Sequence, residues 1–124
     1  MGNRRAGAVF VDPPYNVKID GHVCGNEAIH HREFAMAAGE MSELEFTAFL
    51  NASLRLLARY SRDGSLHYVC MDWRHMHELL TVGRQTYGDL LNLCVWSKNN
   101  GGMGSLYRSQ HELVFVFKNG KRSH

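Results

Sequence analysis

An acidic residue, two prolines and an aromatic residue follow a short apolar run near the start of the chain. The run covers residues 8–11 and is followed by Asp12, Pro13, Pro14 and Tyr15. Because its apolar residues are continuous rather than alternating, the run predicts a buried strand. The prolines end the strand, since neither can donate a ladder hydrogen bond. We therefore expect Asp12 and Tyr15 at the carboxyl end of a buried strand, where open α/β sheets bind ligands.

Two simpler interpretations of this tetrapeptide are open at this point. The prolines can form a turn that closes the strand, with Tyr15 as a packing residue. The tetrapeptide can also be an exposed proline-rich docking peptide, although the apolar run before it argues against exposure. The order of the helices and strands that follow distinguishes these two interpretations from a ligand-binding site at the end of the strand.

A long polar segment comes directly after the motif. Residues 16–41 include three glycines and show no clear hydrophobic period. A loop of this length in a small domain is usually functional or disordered. We expect it to be a loop that faces the substrate or is mobile, with a short helix around Phe34 and Met36.

A helix is predicted at about 43–61. Ser42 and Glu45 have the spacing of a capping box, and apolar residues then recur at helical spacing. Arginines near the far end suit a helix C-terminus. The Asp63-Gly64 pair is expected to end the helix.

The rest of the chain alternates between strands and one further helix. We predict a strand at 65–72, a helix at 74–87, a strand at 90–97, a glycine-rich loop at 99–108 and a strand at 112–118. Strands joined through a helix should be parallel, and strands joined without one should form an antiparallel hairpin. The fold class is therefore α/β, with an antiparallel hairpin at its C-terminal end. Asp72 is expected to cap the second helix, whose predicted buried face contains Met76, Leu79, Leu80 and Tyr87.

The composition is that of an ordinary globular protein. The chain has 124 residues, 44% hydrophobic and 21% charged, which predicts a single domain over residues 1–124. No apolar run approaches the ~20 residues of a membrane helix, and no signal-peptide pattern begins the chain, so we expect a cytoplasmic protein. A net charge of +2 is too small to establish nucleic-acid binding, but a local basic patch is compatible with it.

Cysteine and histidine usage argues against a disulfide framework and against a metal site. The three cysteines are odd in number and widely spaced, and Cys70 and Cys94 lie in apolar runs, so we expect both as buried free thiols. No spacing among Cys24, His30, His31 and the His75/His77 pair matches a paired Cys-x-x-Cys zinc site. A hydrolase is equally unsupported, since the chain has no G-x-S-x-G turn.

The motif and the segment near the C-terminus resemble one known family. Asp12 to Tyr15 resembles motif IV of the amino-methyltransferases that modify exocyclic amines of DNA bases. Residues 96–98, the glycine-rich loop and residues 107–112 resemble the family's motif VIII region. The resemblance covers roughly residues 7–120 and is closest to the subgroup whose catalytic motifs precede the cofactor motif. It implies part of the Rossmann-like, three-layer sheet of S-adenosylmethionine-dependent methyltransferases.

The resemblance implies methyl transfer from S-adenosylmethionine to the N6 amine of adenine in double-stranded DNA, with the target base flipped out. Asp12, Pro13, Pro14 and Tyr15 would be the catalytic residues. The Asp12 side chain and the Pro13 carbonyl would hold the amine hydrogens, and Tyr15 would stack on the base. In the family, an aspartate at the first position of the motif, here Asp12, is associated with adenine as the target. Cytosine N4 is the alternative target. No metal is implied.

Five further residues are expected to contact the substrate in such an enzyme. They are Asn16, Tyr107, Arg108, His111 and Glu112. Asn16 can equally cap the turn, and His111 with Glu112 can equally be surface residues that begin a strand. Arg108 is a candidate for contact with phosphate.

One segment of the family pattern is missing. The family binds its cofactor through a Phe-x-Gly-x-Gly turn after another strand, and residues 102–104 lie in the wrong element for it. We therefore expect the catalytic portion of a longer enzyme or a truncated gene product. In isolation we expect it to be inactive, with an exposed sheet edge that invites self-association. The rival interpretation is a non-catalytic, methyltransferase-like interaction module.

Overall fold

The computed structural model describes residues 2–16, 41–102 and 106–123. These residues form four strands, two α-helices and one 3₁₀ turn. In chain order they are β1 (Ala6–Val11), α1 (Glu43–Arg59), β2 (Ser61–Met71), the 3₁₀ turn (Trp73–His75), α2 (Met76–Thr86), β3 (Asp89–Ser97) and β4 (His111–Lys118). No helix among them is long and apolar enough to cross a membrane.

The four strands form one mixed sheet with the order β1-β2-β4-β3. β1 and β2 are parallel, and β4 runs antiparallel to both β2 and β3. This confirms the α/β fold, the parallel pair and the antiparallel hairpin. The carboxyl ends of β1, β2 and β3 therefore lie together with the start of β4, and we call this side the carboxyl edge. The opposite side, where β1 to β3 begin and β4 ends, is the amino edge.

The core lies between the two helices and one face of the sheet. The helices contribute Phe46, Leu50, Leu54, Leu79 and Val82, and the sheet contributes Val69, Met71, Phe115 and Phe117. The predicted capping box begins α1, because the Glu45 N–H donates to Ser42 Oγ (3.1 Å) and the Ser42 N–H donates to Glu45 Oε1 (3.3 Å). α1 is therefore fixed at the carboxyl edge, close to the end of β1.

The predicted burial of the two outer strands is wrong. β1 is an edge strand, and its Phe10 is 63% exposed on the face of the sheet away from the helices. Every residue of β3, the other edge strand, is exposed, so Cys94 is exposed while Cys70 is buried and free as expected. Apolar content indicated that these strands belong to a sheet, but it could not show that each has only one neighbouring strand.

Two predicted element boundaries also differ. α1 ends at Arg59, and β2 begins at Ser61 rather than Ser65, so Asp63 and Gly64 lie inside a strand. The β1–β2 register shifts there, and Gly64 has φ of +90°, so the Asp-Gly signal marks a strand irregularity instead of a helix end.

The second predicted helix begins with the 3₁₀ turn. Asp72 caps this turn by accepting a hydrogen bond from the Arg74 N–H at 2.9 Å. Leu79 and Tyr87 are buried, but Met76 is 42% exposed, so its place on the predicted buried face was wrong. The predictions for residues 17–40, which include Phe34, Met36 and the Cys24, His30 and His31 group, lie outside the described residues.

Candidate active site at the carboxyl edge

The Asp-Pro-Pro-Tyr turn lies where the sequence predicted it, directly after β1. Val11, the last residue of β1, pairs with Val69 of β2. Asp12 follows it and is exposed, while Pro13, Pro14 and Tyr15 are half-buried. Tyr15 packs against the core, which fixes its ring beside the exposed carboxylate.

Tyr15 joins the turn to the start of β4. Its hydroxyl donates to Glu112 Oε2 at 3.3 Å, and Lys98 Nζ donates to Glu112 Oε1 at 2.7 Å. Each carboxylate oxygen of Glu112 therefore has its own donor. The chain brings together residues 97 positions apart, so the motif IV and motif VIII segments of the sequence meet at this edge.

The Tyr15 hydroxyl stays protonated and acts as a hydrogen-bond donor. Burial raises the pKa of Tyr15 most, and a hydrogen bond to Asp12 and the negative charges of Asp12 and Glu112 raise it further. One hydroxyl hydrogen thus faces two carboxylates. When it bonds to Glu112, the Asp12 oxygens are left to accept other donors.

Asn16 fixes the end of the turn through its own backbone and side chain. It is buried and has φ of 57°, a left-handed conformation that asparagine tolerates. Its side-chain amide donates to the Met41 carbonyl (3.0 Å) and accepts from the Met41 N–H (3.2 Å). His75 bonds to the Asn16 carbonyl (3.1 Å) and, through its other ring nitrogen, to the buried Glu78. These contacts match the turn-capping alternative for Asn16.

A small polar cavity of about 170 Å³ opens beside the Tyr15–Glu112 contact. Its lining includes Asp72, Arg74, Lys98, His111 and Glu112. The charges are paired, with Arg74 at 3.2 Å from Asp72 and Lys98 at 2.7 Å from Glu112. A ligand in this cavity would therefore meet donors and acceptors without an unbalanced charge.

The structure brings some of the predicted site residues together and leaves others apart. Asp12, Tyr15 and Glu112 lie at one place, and His111 lines the adjoining cavity. Tyr107 is 85% exposed, and it lies beyond the hairpin contact from the Gly102 N–H to the Ser109 carbonyl (2.7 Å). Arg108 is also exposed on this outer part of the loop.

Sequence reasoning missed Asp72 and Arg74 as cavity residues. Asp72 follows Met71, the last residue of β2, just as Asp12 follows Val11 in β1. Since β1 and β2 are parallel neighbours, their ends meet at one edge, and that signal was present in the sequence. Among the described residues no group of three or more side chains is arranged to hold a metal ion.

The family model described as DNA methylase, for N6 and N4 methyltransferases, matches residues 7–124. The chain belongs to the N6/N4 DNA methylase family. The match includes both the Asp-Pro-Pro-Tyr turn and the β3–β4 hairpin. A search of curated proteins finds no significant match.

Two solved structures have the same fold as this DNA methylase family member. The M1.HpyAVI-SAM complex superposes with a TM-score of 0.60 at 15% identity, covering 96% of this chain and 45% of that one. M1.HpyAVI gives a TM-score of 0.59 at 13% identity, covering 95% and 47%. The chain thus spans less than half the length of these structures.

Asp12 and the adjoining turn present hydrogen-bond acceptors at the end of β1. β1 is an edge strand of the described sheet, so no described strand pairs with its outer side. The described residues therefore include no strand on that side that could end in a glycine-rich cofactor turn. The described residues therefore do not by themselves enclose S-adenosylmethionine.

Proposed function

We propose that this chain supplies the base-binding half of a DNA methyltransferase acting on the exocyclic N6 amine of adenine. The observation that carries the proposal is the exposed Asp12 at the end of β1, beside the Tyr15 ring whose hydroxyl contacts Glu112. Membership of the N6/N4 DNA methylase family supports a DNA amine as the substrate. The choice of N6 rests on the aspartate of the motif.

Asp12 and Pro13 would orient the amine. The lone pair of an exocyclic amine is delocalised into the base, so the nitrogen is a poor nucleophile. Two acceptors that hold its hydrogens turn the lone pair out of conjugation. The Asp12 carboxylate and the Pro13 carbonyl are the acceptors, and the proline ring stiffens the position of the second. After methyl transfer the nitrogen is positively charged, and an Asp12 oxygen is placed to receive the proton it loses.

Tyr15 would supply a stacking surface for the flipped base. Base–aromatic stacking is worth about 1–3 kcal/mol per base. The hydroxyl contacts Glu112 Oε2 at 3.3 Å and also hydrogen-bonds to Asp12, and these contacts fix the angle of the ring. Glu112 would act indirectly, by holding the Tyr15 ring beside the Asp12 carboxylate.

S-adenosylmethionine would supply the electrophilic methyl group, and the M1.HpyAVI structure of the same fold is a complex with SAM. The contribution of this chain is the placement of the accepting nitrogen, and orientation of this kind accounts for much of an enzyme's rate.

The remaining predicted contacts concern the DNA. His111 would face the base from the cavity, and Arg108 would meet a phosphate from its exposed position on the hairpin loop. Tyr107, equally exposed, is the second loop residue proposed to contact the DNA. Asn16 would act indirectly by fixing the turn.

Two alternatives belong to the same proposal. Cytosine N4 presents the same amine geometry to Asp12. A non-catalytic module is the second alternative, since the described residues do not by themselves enclose S-adenosylmethionine. Under either alternative the chain would self-associate through its edge strands β1 and β3, where Phe10, Val95 and Trp96 are 62–63% exposed. Light scattering during size-exclusion chromatography would show a concentration-dependent mass if self-association occurs and a constant monomer mass if it does not.

The test is a methyl-transfer assay with a polypeptide that joins this chain to a segment binding S-adenosylmethionine. Nucleosides from the methylated DNA are separated by mass spectrometry, so N6-methyladenine and N4-methylcytosine are distinguished. We expect N6-methyladenine, lost in Asp12→Ala while cofactor binding is retained. Turnover of Asp12→Ala near that of the parent protein would refute the role of Asp12, and N4-methylcytosine alone would assign the other target.

A further inference from the structure

Charged residues are sorted between the two edges of the sheet. Among the described residues, the amino edge and the adjoining helix ends have nine basic residues: Arg4, Arg5, Arg55, Arg59, Arg62, Arg84, Lys118, Lys121 and Arg122. Only Asp63 and Asp89 are acidic there. The carboxyl edge has the opposite balance, with three basic residues, Arg74, Lys98 and Arg108, and six acidic ones, Asp12, Glu43, Glu45, Asp72, Glu78 and Glu112. The small net charge of the chain conceals this separation.

The acidic residues at the amino edge do not neutralise the arginines. Asp89 pairs with Lys118 at 3.4 Å, and the Asp63 carboxylate accepts a hydrogen bond from the Lys121 backbone N–H at 2.9 Å. All the basic residues of this edge except Lys118 are exposed. Within the described part of the chain, none of the seven arginines there forms an ion pair with a carboxylate.

Helix ends explain only some of these arginines. Arg59 and Arg84 lie in the last turns of α1 and α2, where positive charge is favourable, and Arg5 donates to the Arg59 carbonyl. Arg4 precedes β1, and Arg62 lies in β2, so no helix dipole accounts for them. Positive charge is therefore concentrated beyond what the fold requires.

A groove between the ends of the two helices adds donors to this surface. Its volume is about 640 Å³, and Arg55, Arg59, Gln85 and Thr86 contribute to its lining. The Thr86 hydroxyl is buried and has no hydrogen-bond partner among the described residues. A buried hydroxyl without a partner beside two guanidinium groups suits a ligand rich in oxygen acceptors.

We propose that the amino edge binds the phosphate backbone of nucleic acid, at a surface separate from the base-binding site. Arginine forks match phosphate oxygens, and such contacts carry no sequence information. The edges are separated by strands of 8 to 11 residues, roughly 25–35 Å at ~3.3 Å per residue. A duplex is stiff on that scale, so the amino edge would hold a different DNA segment from the one being modified. The choice of nucleic acid over an acidic protein rests in part on the proposed function.

The test is fluorescence polarisation of the 124-residue protein with a labelled duplex of random sequence over a range of salt concentrations. The triple variant Arg4→Gln, Arg62→Gln and Arg84→Gln should bind more weakly and lower the slope of log K against log salt by about 3, one for each lost phosphate contact. The matched triple lysine variant keeps the charge and should retain the slope. All three side chains are exposed, so folding should be preserved, and circular dichroism checks it.

An unchanged slope in the glutamine variant, or no DNA binding by the parent protein at low salt, would overturn the proposal. Competition by poly-glutamate as strong as by DNA would assign the surface to acidic protein instead. The double variant Lys98→Gln and Arg108→Gln tests the carboxyl edge in the same assay. A lower slope of log K against log salt in this variant, with an unchanged slope in the triple glutamine variant, would also contradict the proposal. Methyl transfer and the salt dependence of DNA binding are measured separately, so failure of the methyl-transfer proposal and failure of this one are distinguishable.

Discussion

Acid should destabilise this chain through His67, a fully buried histidine in β2. Its two ring nitrogens contact the Tyr87 hydroxyl at 2.8 Å and the Ser65 hydroxyl at 3.3 Å. Hydroxyl groups donate or accept, so they satisfy a neutral imidazole and supply no negative charge to an imidazolium. Burial lowers the pKa of His67 from 6.5 to about 4.

The sign and size of the effect follow from this shift. The unfolded chain takes up the proton near pH 6.5, whereas the folded chain does so only near pH 4. Between these values the free energy of unfolding falls by about 1.4 kcal/mol per pH unit. Lowering the pH from 7 to 5 should therefore cost about 2 kcal/mol, a large part of the ~5–15 kcal/mol that stabilises a typical domain.

Urea denaturation at pH 7 and pH 5 measures the loss, and His67→Gln is the matched control because it keeps hydrogen-bonding groups but does not titrate. The parent protein should lose about 2 kcal/mol more than the variant over this interval. Equal losses of unfolding free energy in the parent protein and in His67→Gln would refute the assignment of the acid sensitivity to His67. An NMR titration of the His67 ring gives the same answer without the variant, since protonation near pH 6.5 in the folded protein would contradict the reasoning.

Three further predictions concern the core, the cofactor and the turn. Gly83→Ala should lower the free energy of unfolding by about 1–3 kcal/mol, because the added methyl group would overlap the buried Phe117 ring; a melting temperature at or above that of the parent protein would be inconsistent with this packing. Calorimetric titration of the isolated chain with S-adenosylmethionine should show weak or no binding, because β1 has no neighbour on its outer side in the described sheet; micromolar affinity would mean that this chain encloses the cofactor itself. Glu78→Gln should loosen the contact between His75 and the Asn16 carbonyl and speed hydrogen exchange at the Met41 N–H, and unchanged exchange would show that Asn16 is held without this pair.

Much of the fold could be predicted because local signals and tertiary packing agree. Ser42 and Glu45 fixed the start of α1, and the missing helix between β3 and β4 correctly indicated a hairpin. The exposure of Phe10 and Cys94 could not be predicted, since apolar content indicates that a segment pairs in a sheet but not how many neighbours it has. The Asp63-Gly64 pair misled for a similar reason, because a left-handed glycine serves a strand irregularity as well as a helix end.

The candidate site was predictable where a motif coincided with a strand end. Asp12 and Tyr15 were placed by the prolines that stop β1, and Glu112 by its position at the start of β4. The contacts of His75 with Asn16 and Glu78 could not be foreseen, because they depend on how the 3₁₀ turn packs against the end of the Asp-Pro-Pro-Tyr turn. The separation of charge between the two edges likewise emerges only once strand directions are known.

The central claim is that a base with an exocyclic amine binds between Asp12 and Tyr15, and NMR titration of the isotope-labelled chain with single nucleotides tests it most directly. Adenosine monophosphate should shift the signals of Tyr15 and Glu112, and thymidine monophosphate, which has no exocyclic amine, should shift them much less. Asp12→Ala should remove this difference between the two nucleotides. Equal shifts with both nucleotides in the parent protein, or shifts confined to other surfaces, would contradict the claim.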